Sequence, residues 1–192
     1  MPEACRLRYR LRVRTTADDV LDAVTPLLAR DASASTAAVA RAAGISRATL
    51  HRHFSDRDAL VRALLERCVH RVVSALDRGA DRARAGEPLV AALVEEVLPE
   101  AQAFVFLGAQ PATYTEEAER IYEGVSRRLD AMVADAQRAG QLRADLPARW
   151  ISDVLHVLAA AGAESLRQGR IAGRDAVALV TEAALHGVGP RR

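Results

Sequence analysis

The chain of 192 residues contains no lysine and no asparagine, and all 27 of its basic residues are arginine. Arginine and alanine use GC-rich codons where lysine and asparagine use AT-rich ones, so this usage points to a high-GC genome, expected to be bacterial. Aromatic residues make up only 4%, which excludes a core built on large rings and argues against an all-β sandwich. Two cysteines, Cys5 and Cys68, are too few for a disulfide framework and fit a reducing cytoplasm. Glycine and proline, at 11 and 7 residues, are too scarce for a collagen-like or loop-rich chain. The longest apolar stretch, residues 151–163, holds Asp153 and His156 and is too short to span a bilayer. Arg6, Arg8, Arg10, Arg12 and Arg14 interrupt the place where the apolar centre of a signal peptide would sit. The expectation is a soluble cytoplasmic protein with no membrane partner.

What is abundant is alanine, within a composition that is 50% hydrophobic and 27% charged. That mixture favours helices packed closely on small side chains, and the periodicity predicts an all-α chain of about nine of them. The first runs from about Thr16 to Arg30 and contains Pro26, which is expected to kink or shorten it. Ser35, Ser46 and Ser55 then stand where helix caps are wanted, the last with Asp58 completing a capping box. The helix after Ser55 is long, with Gly79 a possible end and residues 86–88, Gly-Glu-Pro, a certain one. A helix on Leu89, Leu93 and Val97 is expected to stop at Pro99, with a short apolar helix following through Leu107. Thr113 and Glu116 read as a box opening the next, and the last two span about 147–169 and 174–186.

Residues 35–54 carry the tightest pattern. Ala40 and Ala43 are small enough for two helices to touch, Gly44 supplies the turn, and Val39, Ile45, Leu50 and Phe54 are inner anchors, as a helix-turn-helix needs. The outward face of the second helix is then Arg47, Thr49, His51, Arg52 and His53, a set of donors without an acid, suited to phosphates and base edges.

This stretch, continuing through Ser55-Asp56-Arg57-Asp58-Ala59-Leu60, resembles the amino-terminal region of the tetracycline-repressor (TetR) family of bacterial transcriptional regulators. The likeness runs from about Thr16 to Leu65 and is specific, because Ala-Ala-Gly-Ile-Ser, Thr-Leu-His-Arg-His-Phe and Arg-Asp-Ala-Leu occur in register. The resemblance implies that Ser35 and Thr36 meet phosphate at the start of the second helix. It puts Arg47, Ala48 and Thr49 at base edges, His51 and His53 on the DNA backbone, and Arg57 on phosphate at the start of the fourth helix, with Arg52 also counted among the DNA-binding residues. Two positions depart from the common pattern: His51 replaces a frequent tyrosine, and Ala48 a frequent glycine. Imidazole still donates to phosphate, with shorter reach.

Three regions follow: a basic arm over 1–14, expected to be flexible, a DNA-binding helix-turn-helix domain over 15–54, and a helical effector-binding and dimerisation domain over 55–189. The arm alternates arginine with Leu7, Tyr9, Leu11 and Val13, which in an extended segment puts all five arginines on one face. It reads either as an arm for the minor groove or as a frayed terminus. Candidate ligand-binding residues are Phe104, Phe106, Gln110, Thr113, Tyr114, Tyr122, Trp150 and His156, an apolar set with a few polar groups as a small-molecule cavity requires. Candidate dimer-interface residues are Leu155, Leu158, Ala159, Gly162, Leu179 and Val180 on the last two helices. Cys68 with His70, and His51 with His53, are two apart on helices and diverge, so no metal site is expected. No cofactor or catalytic motif is found.

The expected protein is a homodimeric DNA-binding regulator, a repressor released from a near-palindromic operator by an apolar or amphipathic small molecule, and not an enzyme. The alternatives are a helical small-molecule binding protein or an enzyme that resembles the family without binding DNA, and an interaction module that uses its terminal helices.

Overall fold

The first helix begins where two side chains trade hydrogen bonds. The Thr16 hydroxyl accepts from the Asp19 amide at 3.1 Å, and the Asp19 carboxylate accepts from the Thr16 amide at 2.8 Å. From this box α1 (Ala17–Leu28) buries Val20, Leu21, Val24 and Leu28 and continues through Pro26, which falls in its last turn. The computed structural model describes residues 15–31, 33–108 and 115–188.

Ser35 caps α2 (Thr36–Ala42), and Ser46 caps α3 (Arg47–His53). Between them Gly44 takes φ +65°, a left-handed conformation that side chains with a Cβ rarely adopt. The cap of α4 (Arg57–Arg84) is Asp56 and not Ser55. The Asp56 carboxylate accepts from the Ala59 amide at 2.7 Å and takes the Ser55 hydroxyl as a second donor at 2.9 Å. An anion is the stronger cap at a helix start, so it displaces the neighbouring serine.

Gly79 does not end α4. A Cβ there would stand 2.8 Å from Leu93 Cδ2 and 3.2 Å from Leu93 Cα, so the glycine is the point of closest approach between α4 and α5 (Leu89–Gly108). These two helices share the most extensive contact in the molecule. Proline also fails to divide α5: the helix runs through Pro99, flanked by buried Leu98 and Ala101. One lost backbone hydrogen bond is outweighed by the packing of both halves against the core. The expected pair of helices is therefore one, and the described residues form eight helices with no strand.

The remaining helices are α6 (Glu116–Arg138), α7 (Ala148–Arg167) and α8 (Gly173–Val188). Gly140 and Gly169, at φ +72° and +66°, terminate α6 and α7. Buried residues form one connected cluster, from Val20 in α1 through Leu64 in α4 and Leu98 in α5 to Ala184 in α8. Two arginines of α4 tie the head to the larger lobe. Arg67 meets Asp22 at 2.6 Å and Asp18 at 3.2 Å on α1, while Arg71 meets Glu100 of α5 at 2.7 Å and Asp22 at 4.0 Å. No helix among the described residues is long and apolar enough to cross a membrane.

Gly79→Val should lower the unfolding free energy by about 1–3 kcal/mol through overpacking. Gly124→Ala, on α6 with open space around it, should raise it by roughly 0.5–1 kcal/mol. Urea titration of both variants checks the pair, and a Gly79→Val protein as stable as the parent would mean that α4 and α5 need not touch there.

Candidate nucleic-acid interface

The head presents α3 to solvent because only its inner face is apolar. Leu50 is buried, and Phe54 closes the helix end, while Arg47, Ala48, His51 and Arg52 are exposed. Thr49 is half-buried, and its hydroxyl shares a hydrogen bond of 2.9 Å with that of Ser46. The Ser46 hydroxyl also accepts from the Thr49 amide at 3.0 Å, fixing the first turn that carries Arg47 and Ala48. No acid lies on the exposed face of α3.

Beside it, a polar cavity of about 250 Å³ opens between α2, α3 and the start of α4, lined among others by Thr36, His51, Asp56 and Arg57. Three residues expected at phosphate are thus brought together from three helices. Arg57 is half-buried: its Nη1 donates to the Ala34 carbonyl at 2.6 Å, and its Nη2 is buried with no partner. A buried guanidinium donor without an acceptor is costly, and an anion entering the cavity would relieve it. Asp56 is the one carboxylate in the lining. Its oxygens are engaged in the cap, and the Ala59 amide, followed by the Ser55 hydroxyl, holds its carboxyl below the usual range.

Two expected contacts sit differently from the rest. The Ser35 hydroxyl is used on the Ala38 amide at 3.3 Å, so it meets an anion only by sharing that bond. His53 is half-buried with its ring tilted against Phe54 at 6.2 Å, and its Nε2 is buried without a partner. The arm over 1–14 lies outside the described residues.

The larger lobe holds an apolar cavity of about 80 Å³, walled by α4, α5, α6, α7 and α8 through residues such as Val72, Val97, Leu129 and Leu155. Of the expected ligand-binding residues, His156 stands at its edge, exposed on α7. Tyr122 is half-buried against the core on α6. Trp150, at 57% exposure, is on the outer surface of α7 and not in the cavity wall. Gln110, Thr113 and Tyr114 lie outside the described residues, as do the side chains of Phe104 and Phe106. Cys68 is buried, and burial pushes its thiol up to about 11, which leaves it unreactive. No cluster of His, Cys, Asp or Glu that could hold a metal occurs among the described residues.

Three of the expected interface residues are occupied inside the protomer. Leu155 lines the cavity, and Gly162 lets Val180 of α8 approach so closely that an added Cβ would stand 2.6 Å from Val180 Cγ2. Leu158 and Ala159 are half-buried in the cavity wall, and Leu179 alone of the six is largely exposed, at 51%. The apolar residue most exposed on α7 is Val157, at 62%, and it is not among the six.

A small head with an exposed basic helix, joined by one continuous helix to a larger helical lobe, defines a helix-turn-helix transcription regulator. Comparison agrees. Residues 29–64 match the model of the bacterial regulatory proteins of the tetR family. The chain is 31% identical over 153 residues to the HTH-type transcriptional repressor LfrR of Mycolicibacterium smegmatis, covering 78% of each chain. It is also 31% identical over 154 residues to the HTH-type transcriptional regulator NfxB of Pseudomonas aeruginosa, covering 78% of this chain and 81% of that one. Its fold is similar to the crystal structure of LfrR from Mycobacterium smegmatis in complex with proflavine, with a TM-score of 0.73 at 22% identity over 92% and 98% of the two chains. A TetR regulator from Marinobacter aquaeolei VT8 gives a TM-score of 0.65 at 19% identity over 91% and 96%. The chain belongs to the TetR family of DNA-binding transcription regulators. That membership sets aside the enzyme alternative.

The Asp56 carboxyl titrates below its ordinary value because the charged form caps α4. Its contribution to stability is therefore present above about pH 4, its unfolded range, and is lost as pH falls through the lower folded value. Asp56→Asn keeps a cap oxygen without the charge. Between pH 6 and pH 3 its thermal midpoint should fall less than that of the parent, and equal falls would remove Asp56 from the acid response.

Proposed function

We propose that this chain is a homodimeric repressor that binds a near-palindromic operator and is released from it by a small-molecule effector, acting in the cytoplasm where its DNA is. The observation that carries it is the acid-free exposed face of α3 beside the buried, unpartnered Nη2 of Arg57. In this arrangement Arg47, Ala48 and Thr49 face base edges. Thr36, His51 and Arg57 hold one backbone phosphate in the cavity they share, with Ser35, Arg52 and His53 at its margins. Two-fold symmetry sets the two α3 helices about 34–36 Å apart, one DNA turn, which demands a palindrome. The exposed apolar residues Val157 of α7 and Leu179 of α8 supply the self-complementary patch, pairing these helices with their symmetry mates in a four-helix bundle.

Duplexes from the region flanking the gene, compared with random DNA, test the operator. Arg47→Ala should lose about 1–3 kcal/mol of discrimination between them. Arg57→Gln keeps a donor for the Ala34 carbonyl and loses the charge. It should weaken both duplexes alike and flatten the dependence of log K on log salt by about 0.9 per protomer. An unchanged slope would mean that Arg57 touches no phosphate.

Val157→Glu combined with Leu179→Glu should give monomers by equilibrium sedimentation and weaken operator binding. Both positions are exposed in the protomer, so the fold tolerates the charge, whereas a charge at buried Val180 would unfold it. A double variant that stays dimeric would place the interface elsewhere.

A further inference from the structure

The cavity in the larger lobe has a chemical bias. Its walls are Val, Leu and Ala from five helices, and its one titratable lining residue is His156 at the edge. Among the described residues no carboxylate lines it. Residues 102–114, the last turns of α5 and the segment after them, contain no Asp, Glu, Arg or His and so carry no charge. The acids of α5 that adjoin lining residues are all held by arginines of α4: Glu95 by Arg82 at 2.6 Å, Glu96 by Arg78 at 2.6 Å and Glu100 by Arg71 at 2.7 Å. On α6, Asp130 follows lining residue Leu129; its Oδ2 pairs with Arg149 at 3.3 Å, and its Oδ1 is buried without a partner but does not line the cavity. A cation entering this space would lose its water and find no counter-charge, a penalty of several kcal/mol per ion. An uncharged molecule pays no such penalty and gains by burying apolar surface.

The size of the cavity adds a second constraint. At about 80 Å³ it is well below the roughly 300–1,000 Å³ of sites for drug-sized ligands. A guest of two or three rings must therefore push a wall aside. The α6 wall is the one that yields, since Val125 and Leu129 are only half-buried and α6 touches α4 sparingly, with Arg128 paired to Asp77 across that junction.

We propose that the effector of this regulator is an uncharged, apolar, ring-containing molecule, with His156 as its hydrogen-bonding contact at the cavity mouth, and that lipophilic cations are disfavoured. This rests on the effector-released reading above and names the chemistry of its ligand. It separates this chain from LfrR, whose structure is in complex with the acridine dye proflavine.

Acridine and proflavine share one three-ring skeleton, the first uncharged and the second protonated at neutral pH, and both are fluorescent. Titrated into the full-length protein, acridine should bind at least tenfold more tightly than proflavine and lower operator occupancy. Val125→Asp places a carboxylate in the half-buried α6 wall without disturbing the fully packed core. In that variant, checked for unchanged helicity, proflavine should gain at least tenfold and acridine should weaken. Proflavine binding the parent as tightly as acridine, with operator release, would overturn the charge assignment and leave the effector reading standing. Tight acridine binding that leaves the operator complex intact would overturn the effector reading and keep the assignment of ligand chemistry to the cavity. No gain for proflavine in Val125→Asp would show that the dye sits outside this cavity and overturn the proposal. If neither dye binds up to its solubility limit, both are overturned.

Discussion

Everything in this fold hangs on one continuous helix. The 28 residues of α4 span about 42 Å at 1.5 Å per residue. Its first turn holds the chain just before α2 through Arg57 and the Ala34 carbonyl, and its far half is pressed onto α5 at Gly79. Because both ends are fixed by contacts that allow little slack, the DNA-facing head and the larger lobe share a rigid element and not a linker. The core reflects the same constraint, running unbroken from α1 to α8.

The head uses that rigidity locally. With only seven residues each, α2 and α3 are too short to be stable alone. They persist because Ser35 and Ser46 cap them and because Val39, Ala40 and Leu50 are buried against α1 and α4. Arg57 then has two tasks from one side chain. One nitrogen braces the residue before the cap of α2, and the other is left facing the cavity that Thr36 and His51 also line. A guanidinium can divide its donors in this way because they form a planar fork, whereas a lysine ammonium in its place would have to choose.

The caps and the turn were legible in the sequence because each is decided by residues within four positions of one another. Ser35, Ser46 and Gly44 stand where local hydrogen bonding and φ require them. The errors share a cause, which is that long-range packing overrides local preference. Pro99 breaks a helix in isolation, but the burial of Leu98 and Ala101 on either side carries α5 through it. Gly79 looks like a stop because a sequence does not distinguish a glycine needed for φ from one needed for closeness. Gly162 and Val180, small and apolar on the terminal helices, bring α7 and α8 into close contact within the protomer. Trp150, a large ring on a helix of the larger lobe, reads as a cavity residue, yet it is exposed and outside the cavity lining. Ser55 and Asp56 are both cap residues, and only the geometry of the first turn decides between them.

What remains is how a guest in the larger lobe could be felt at the DNA. Moving α6 alone would not suffice, since α6 has no contact with the head as extensive as those that α4 and α5 make with α1. The cavity wall includes Ala101 of α5, and the residue before it, Glu100, grips Arg71 of α4, which in turn reaches Asp22 of α1 at 4.0 Å. A displacement of α5 at Ala101 therefore pulls on an ion-pair chain that ends in the head, and Arg67 adds two further bonds to the same helix. Each of these pairs has at least one partner about half-exposed or more, so solvent screens it and each contributes little to stability. Their geometry matters more than their strength, because they hold α1 to α4 at the level where the cavity begins. In the proposed function, the coupling they would transmit is bounded by the difference in guest affinity between two positions of the head, and linkage would oblige operator DNA to act on the guest by the same factor.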